Sequence, residues 1–266
     1  MYSFTYHRPA SIAAAAAQLA ADAEAKPLAG GQTLLPTMKQ RLASPSALVD
    51  IGKIAGLAGV SREGEAIVIG ATTRHADVAT SAAVRQAIPA LADLAEAIGD
   101  PQVRNQGTIG GSLANNDPAA DYPAAVLALG ATIVTNKREI AADAFFKGLF
   151  ETALSPGEII TKVRFPIPQK AAYQKFPNPA SRYAIVGVFV AKTAAGVRVA
   201  VTGAGAKGVF RASAFESPLA SNFAASALAG AKVSAEGLSS DIHADAAYRA
   251  HLIGVLAKRA VAAAAG

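Results

Sequence analysis

Cysteine is absent from all 266 residues, which removes disulfides, thiolate-held iron–sulfur clusters and catalytic thiols from this chain. Such chemistry, where it is needed, belongs to a partner. Histidine is scarce too. His7, His75, His243 and His251 show none of the short paired spacings of a metal site, so all four read as structural or solvent-facing. No stretch reaches the ~18 uninterrupted apolar residues of a membrane span. The alanine run near the start is broken by Gln18, Asp22 and Glu24, unlike a secretory leader, and a cytoplasmic location is expected. There is no Gly-Lys-Ser/Thr phosphate loop, no G-x-S-x-G elbow and no H-E-x-x-H motif, so nothing supports nucleoside triphosphate hydrolysis.

What is present describes a globular chain: 52% of residues are hydrophobic and 17% charged. The length allows two or three subdomains, each with its own core. Net charge is +6, and its distribution matters more than its total. Between Ile159 and Phe215 there are nine Lys or Arg, Lys175 and Arg182 among them, and no acid. Two readings stand: a solvated basic surface, or a docking face for an acidic partner or anionic ligand. The basic residues are spaced singly without interleaved aromatics, which argues against nucleic acid.

Ser11 is placed to cap a helix over 12–25, followed by an extended Pro27-Leu28-Ala29 and a helix whose first turn must contain Pro36. With a strand over 47–51 this makes a small β-α-β unit. A second unit begins with a strand over 66–69, a short helix capped by Thr72 or Thr73, and an amphipathic helix over 89–98. Residues 100–121 read as turns and short extended pieces, 122–129 as helix, and 159–165 as an alternating strand. Pro166, Pro168, Pro177 and Pro179 mark a linker or domain edge. Beyond them, runs over 183–192 and 197–202 form a hairpin. A long helix over 244–264 is expected to bury Tyr248, Leu252, Val255 and Leu256. The G-x-G-x-x-G match at 203–208 follows a strand, but no helix opens after it and no acid follows about twenty residues on, so a Rossmann reading fails.

The most function-laden features are two glycine pairs, Leu28-Ala29-Gly30-Gly31-Gln32-Thr33 and Gly107-Thr108-Ile109-Gly110-Gly111-Ser112. Paired glycines admit positive φ and let backbone approach a ligand, and the freed amides can converge on an anion. Two such loops about eighty residues apart are suited to clamping one phosphorylated cofactor from two sides. Asn115, Asn116, Asp117 and Asp121 follow the second pair. The two carboxylates serve either as turn and cap formers around Pro118 or as acceptors for sugar hydroxyls.

With these segments in view, the chain resembles the FAD-binding (medium) subunits of the molybdenum hydroxylases, the carbon monoxide, aldehyde, xanthine and nicotinate dehydrogenase type. The resemblance rests on 29–36 (A-G-G-Q-T-L-L-P) and on 103–114 with Asp117-Pro118-Ala119-Ala120-Asp121. Residues 69–73 and 252–256 also fit. It implies an α+β chain: a two-subdomain FAD-binding fold (PCMH/vanillyl-alcohol-oxidase-like) over residues 1–168, divided at about 55, then an α+β domain of antiparallel strands and helices over 169–266. By the same resemblance Ala29, Gly30, Gly31, Gln32, Thr33 and Leu34 line the pyrophosphate. Thr108, Ile109, Gly110, Gly111 and Ser112 close over it, Asp117 or Asp121 meets a polar part of FAD, and Tyr183 passes near the flavin. No catalytic side chain and no metal ligand is implied. Gln32 stands where many relatives carry His. The function implied is an oxidoreductase's electron-transfer subunit. Its partners would be a small subunit with 2Fe–2S clusters and a large molybdopterin subunit, in a dimer of heterotrimers. A stand-alone FAD oxidoreductase of the same cofactor fold is the other reading.

Overall fold

The computed structural model describes residues 1–265. Three larger sheets follow one another along the chain, with a two-stranded ribbon, Phe146–Gly148 and Glu151–Thr152, inserted within the second. The first is a small parallel sheet in the order Thr5–His7, Ala47–Asp50, Lys26–Leu28. Its crossovers carry the helices Ile12–Ala21 and Leu34–Lys39, because parallel neighbours need a connection that returns across the sheet. The Ser11 hydroxyl caps the first helix by accepting from the Ala14 amide at 3.2 Å. Pro36 falls in the first turn of the second helix, where its missing N–H costs nothing. The first helix ends four residues earlier than the sequence predicts. Asp22 turns out of it to accept from Ser46 and the Glu24 amide.

The second sheet is antiparallel throughout, in the order Val60–Glu63, Ala66–Gly70, Ile160–Pro166, Thr132–Thr135, Glu139–Ala141. Short helices cover it, and residues 100–121 belong among them, contrary to the extended pieces expected. Pro101–Arg104 is capped by Asp100, and Ile109–Asn115 by Thr108, whose Oγ1 accepts from the Gly111 amide at 3.2 Å. A good N-cap outweighs the poor helix propensity of Gly110 and Gly111.

The third sheet runs Lys170–Pro177, Ala184–Thr193, Gly196–Thr202, Phe210–Arg211. Its first strand occupies what the prolines suggest to be a linker: Pro166 ends one strand and Pro177 the next. The central strand is buried on both faces. Phe189 and Ala191 pack with the wholly buried helix Tyr122–Leu129, whereas Val186, Val188 and Val190 pack with the helix Ala246–Ala265. Alternate side chains of one strand thereby join two cores. The buried stripe of the last helix includes Leu252 and Leu256 as expected. It is led by Arg249 and Ile253, while Tyr248 is exposed and Val255 half-buried.

The basic stretch does not survive folding as one surface. Lys175 is buried and pairs with Asp121 at 2.9 Å, Arg164 meets Glu139 at 3.3 Å, and Arg211 meets Glu216 at 2.6 Å. Arg198 pairs with Asp143. Acids from outside the stretch pair with four of its nine cations.

Candidate functional site

A cavity of about 490 Å³ opens where the three sheets meet, within the size range of cofactor pockets. One wall is the first glycine loop. Gly31 takes φ +69° there, and a Cβ on Gly30 would lie 2.1 Å from the Gln106 carbonyl oxygen and 2.8 Å from Gly107 Cα. The two glycine segments are therefore in direct backbone contact, and only the absence of a side chain at Gly30 allows it.

The loops differ in what they offer. The amides of Gly30, Gly31, Gln32, Thr33 and Leu34 find no acceptor among the described residues. In the second loop Ile109 donates to the Thr73 carbonyl at 3.1 Å, Gly110 to Ala71 at 2.8 Å, and Ser112 to Thr108 at 3.0 Å. Only the first loop is a free amide cradle. The second builds wall through Thr108, Gly110, Gly111 and Ser112, while Ile109 turns into the core and does not line the cavity.

Asp117, Asp121 and Tyr183 also line it. Asp117 uses one oxygen on the Ala119 amide at 2.8 Å and has the other free among the described residues. Asp121 has both oxygens engaged, one by the Tyr173 hydroxyl and one by Lys175. Burial pushes its carboxyl up, and the Lys175 ammonium pulls it back. Tyr183 sits half-exposed at the end of a tight loop in which Asn178 accepts from the Ala180 and Ser181 amides and Arg182 takes φ +63°. Burial and the nearby Asp117 raise its phenol.

The glycine-rich 203–208 segment is a brace. Gly203 donates to the Pro118 carbonyl at 2.7 Å, and the Thr202 hydroxyl donates to Pro118 and Ala120, tying the third sheet to the Asp117–Asp121 loop. Among the polar lining residues that were not singled out as site residues in the sequence are Thr72, His75, Glu158 and Arg182. His75 is buried, and burial lowers its pKa to about 4. Their signal is tertiary: Thr72 reads in the sequence as a helix cap, although the helix His75–Thr80 begins after Arg74 with no side-chain cap.

Residues 2–168 match the family described as the FAD binding domain in molybdopterin dehydrogenase. The chain belongs to the FAD-binding medium subunits of the molybdenum hydroxylases. It is 37% identical to the carbon monoxide dehydrogenase medium chain of Afipia carboxidovorans, over 97% of this chain and 96% of that one. The nicotine 6-hydroxylase medium subunit of Paenarthrobacter nicotinovorans is also 37% identical, over 96% and 95%. Among solved structures, Cu,Mo-CO dehydrogenase aligns with TM-score 0.90 at 34% identity, covering 99% and 98%. Quinoline 2-oxidoreductase from Pseudomonas putida 86 aligns with TM-score 0.88 at 30%, covering 99% and 97%. The family's cofactor fits this chain's own residues: five unpartnered amides in one turn match the two charges of a pyrophosphate. Among the described residues no cluster of His, Asp or Glu is arranged to hold a metal, and no helix is long and apolar enough to cross a membrane.

Proposed function

We propose that this chain is the electron-transfer subunit of a cytoplasmic molybdenum hydroxylase complex. It would be assembled with a small iron–sulfur subunit and a large molybdopterin subunit as a dimer of heterotrimers. The observation that carries the reading is the free amide cradle of residues 30–34 facing a cavity built by a medium-subunit fold. The chemistry FAD supplies is the storage and release of electrons, arriving from the partner's clusters and leaving to an external acceptor. This chain's residues hold and shield that group. The cradle binds the pyrophosphate, Thr108, Gly110, Gly111 and Ser112 close the opposite wall, and Asp117 offers its free oxygen to a hydroxyl. Tyr183 covers the mouth. The division at about residue 168 into a cofactor-binding part and a C-terminal part belongs to the same reading.

Substrate choice lies elsewhere. Relatives named for carbon monoxide and for nicotine are equally similar to this chain, which fits a subunit that leaves substrate choice to a partner. The reading is tested by purifying the chain alone and with its genomic neighbours, releasing the flavin and identifying it. FAD with this chain, and iron–sulfur and molybdenum signals only in the co-purified complex, is the expected result. Turnover by the lone chain would favour an independent oxidoreductase, and absence of flavin from both preparations would refute the assignment. Gly111 is the sharpest variant, because a side chain there meets only the Thr108 hydroxyl, at 3.0 Å. Gly111→Val is expected to abolish flavin retention while the unfolding temperature stays near that of the wild-type apo chain.

A further inference from the structure

The turn at the end of a hairpin is a place for glycine, asparagine or aspartate. The ribbon Phe146–Gly148 and Glu151–Thr152 pairs Gly148 with Glu151, so its tip is Leu149-Phe150. These two large apolar residues are 55% and 58% exposed, and neither joins a hydrophobic core. Phe150 also takes φ +55°, a left-handed conformation in which a bulky residue is an outlier.

The strained tip is held firmly. Asn116 Nδ2 donates to the Gly148 and Glu151 carbonyls, both at 2.8 Å, and so grips the two residues that bracket it. Asn116 is itself 1% exposed and left-handed at φ +46°, directly after the helix Ile109–Asn115 that carries the second glycine loop. Such strain persists only where the surroundings over-determine it, and it clusters at functional sites. A tip fixed before contact also loses little freedom on binding.

Position and charge narrow what meets it. Asn115 and Leu154 line the cavity. The first adjoins the clamp, and the second follows Phe150 by four residues, which puts its backbone at most about 14 Å away. Lys147 stands on the hairpin itself. Lys207 stands on the neighbouring loop, where a Cβ on Gly208 would lie 4.0 Å from the Gly148 carbonyl oxygen. Both lysines and Glu151 are exposed, and none has an ion-pair partner among the described residues. The tip is thus an apolar knob with a net positive border, close to the cofactor cavity. Of the two proposed partners, the iron–sulfur subunit is the one that must approach that cavity to deliver electrons, and its thiolate-held clusters are anionic.

We infer that Leu149-Phe150 is the anchor on which this chain docks its iron–sulfur subunit, entering an apolar pocket bordered by carboxylates on that partner. This rests on the electron-transfer reading above and names the contact surface that reading requires.

The tagged full chain is co-expressed with both partner genes, and the complex is diluted and re-isolated on the tag. Retention of each subunit against concentration gives its apparent dissociation constant. Phe150→Gly suits the left-handed backbone and deletes the knob. It is expected to raise the dissociation constant of the iron–sulfur subunit about thirtyfold, the loss of one aromatic hot spot. The lone variant should keep its flavin and unfold at the same or a higher temperature. Leu149→Asp sets a charge into the same apolar contact and should weaken it too. Ile242→Ser, at an apolar residue 96% exposed on another loop, should change nothing. Loss of the iron–sulfur subunit from the tip variants alone, with or without the large subunit, supports the anchor. Wild-type retention in Phe150→Gly overturns it, as does loss of the large subunit only, or equal weakening by Ile242→Ser. A lower unfolding temperature with flavin loss in lone Phe150→Gly overturns it as well, by showing that Phe150 serves the chain's own fold. Failure of the wild-type chain to retain any iron–sulfur subunit would instead overturn the reading beneath it.

Discussion

Glu158 reaches the cavity wall with its carboxylate held on all sides. Arg138 donates from Nε at 2.9 Å and from a terminal nitrogen at 3.0 Å, Thr135 donates at 2.8 Å, and the Ser155 amide at 2.9 Å. These bonds, the Arg138 guanidinium foremost, lower its pKa to about 2 from the ordinary 4.5. A folded value below the unfolded one means stability that is complete above the ordinary carboxylate range and is lost as pH falls toward 2. His75 adds a second slope: the unfolded imidazole takes a proton near 6.5 and the folded one near 4, so stability also falls as pH drops through that interval. Melting curves taken against pH should show both. Glu158→Gln should flatten the lower limb and His75→Leu the upper; limbs unchanged by either variant would show that other groups set the acid sensitivity. At this scale the sequence announces that glycines 30, 31, 110 and 111 matter, because their pairing has few structural uses. It cannot say which does what. Gly31 supplies positive φ, Gly30 admits the other loop, and Gly110 admits Ala71, where a Cβ would sit 2.7 Å from two of its atoms. Those neighbours lie about forty to eighty residues away in the chain, so their distances exist only after folding.

The helix Ala246–Ala265 carries an arginine where its sequence pattern asks for an aliphatic residue. Arg249 is 3% exposed and donates to the Ile185 carbonyl and, at 2.9 Å, to the Gly203 carbonyl, with Asp241 accepting at 2.6 Å. Gly203 and Ile185 sit at paired strand ends beside the brace on the Asp117–Asp121 loop, so one side chain locks helix, sheet and cavity loop together. Replacing it with Met keeps the stem's packing but strands two buried carbonyls. A loss of about 2–3 kcal/mol is expected, lowering the unfolding temperature by roughly 5–10 °C. Flavin bound per folded chain should not change, and a melting temperature equal to wild type would show the carbonyls satisfied otherwise. Elements with period or cap signals were readable: the Pro89–Glu96 helix, the Ala184–Thr193 and Gly196–Thr202 hairpin, and the Ser11 cap. The misread elements share a cause. Ile109–Asn115 is a glycine-containing helix stabilised by its Thr108 cap and by packing, and Lys170–Pro177 is an edge strand whose flanking prolines mimic a linker.

Across the whole molecule, the cavity joins parts that no local pattern connects, and one ion pair spans the joint. Lys175, on the edge strand of the third sheet, is 6% exposed along its side chain. It donates to Asp121 at 2.9 Å and to the Ala97 carbonyl at 3.0 Å, while Tyr173 from the same strand donates to the other Asp121 oxygen. The sequence invites a docking role for Lys175 because the acid that pairs with it lies 54 residues away in the chain. Burial instead makes it a strut between the cofactor-side helices and the third sheet. Removing the ammonium leaves a buried carboxylate without its counter-charge, so Lys175→Met is expected to destabilise the chain by about 3–5 kcal/mol. Adding Asp121→Asn removes that charge while still accepting from Tyr173, and should restore most of the loss. A docking lysine predicts the reverse: Lys175→Met would weaken assembly with the partner subunits at an unchanged unfolding temperature. Thermal unfolding of the single and double variants, read beside co-purification of the complex, separates the strut from the docking contact.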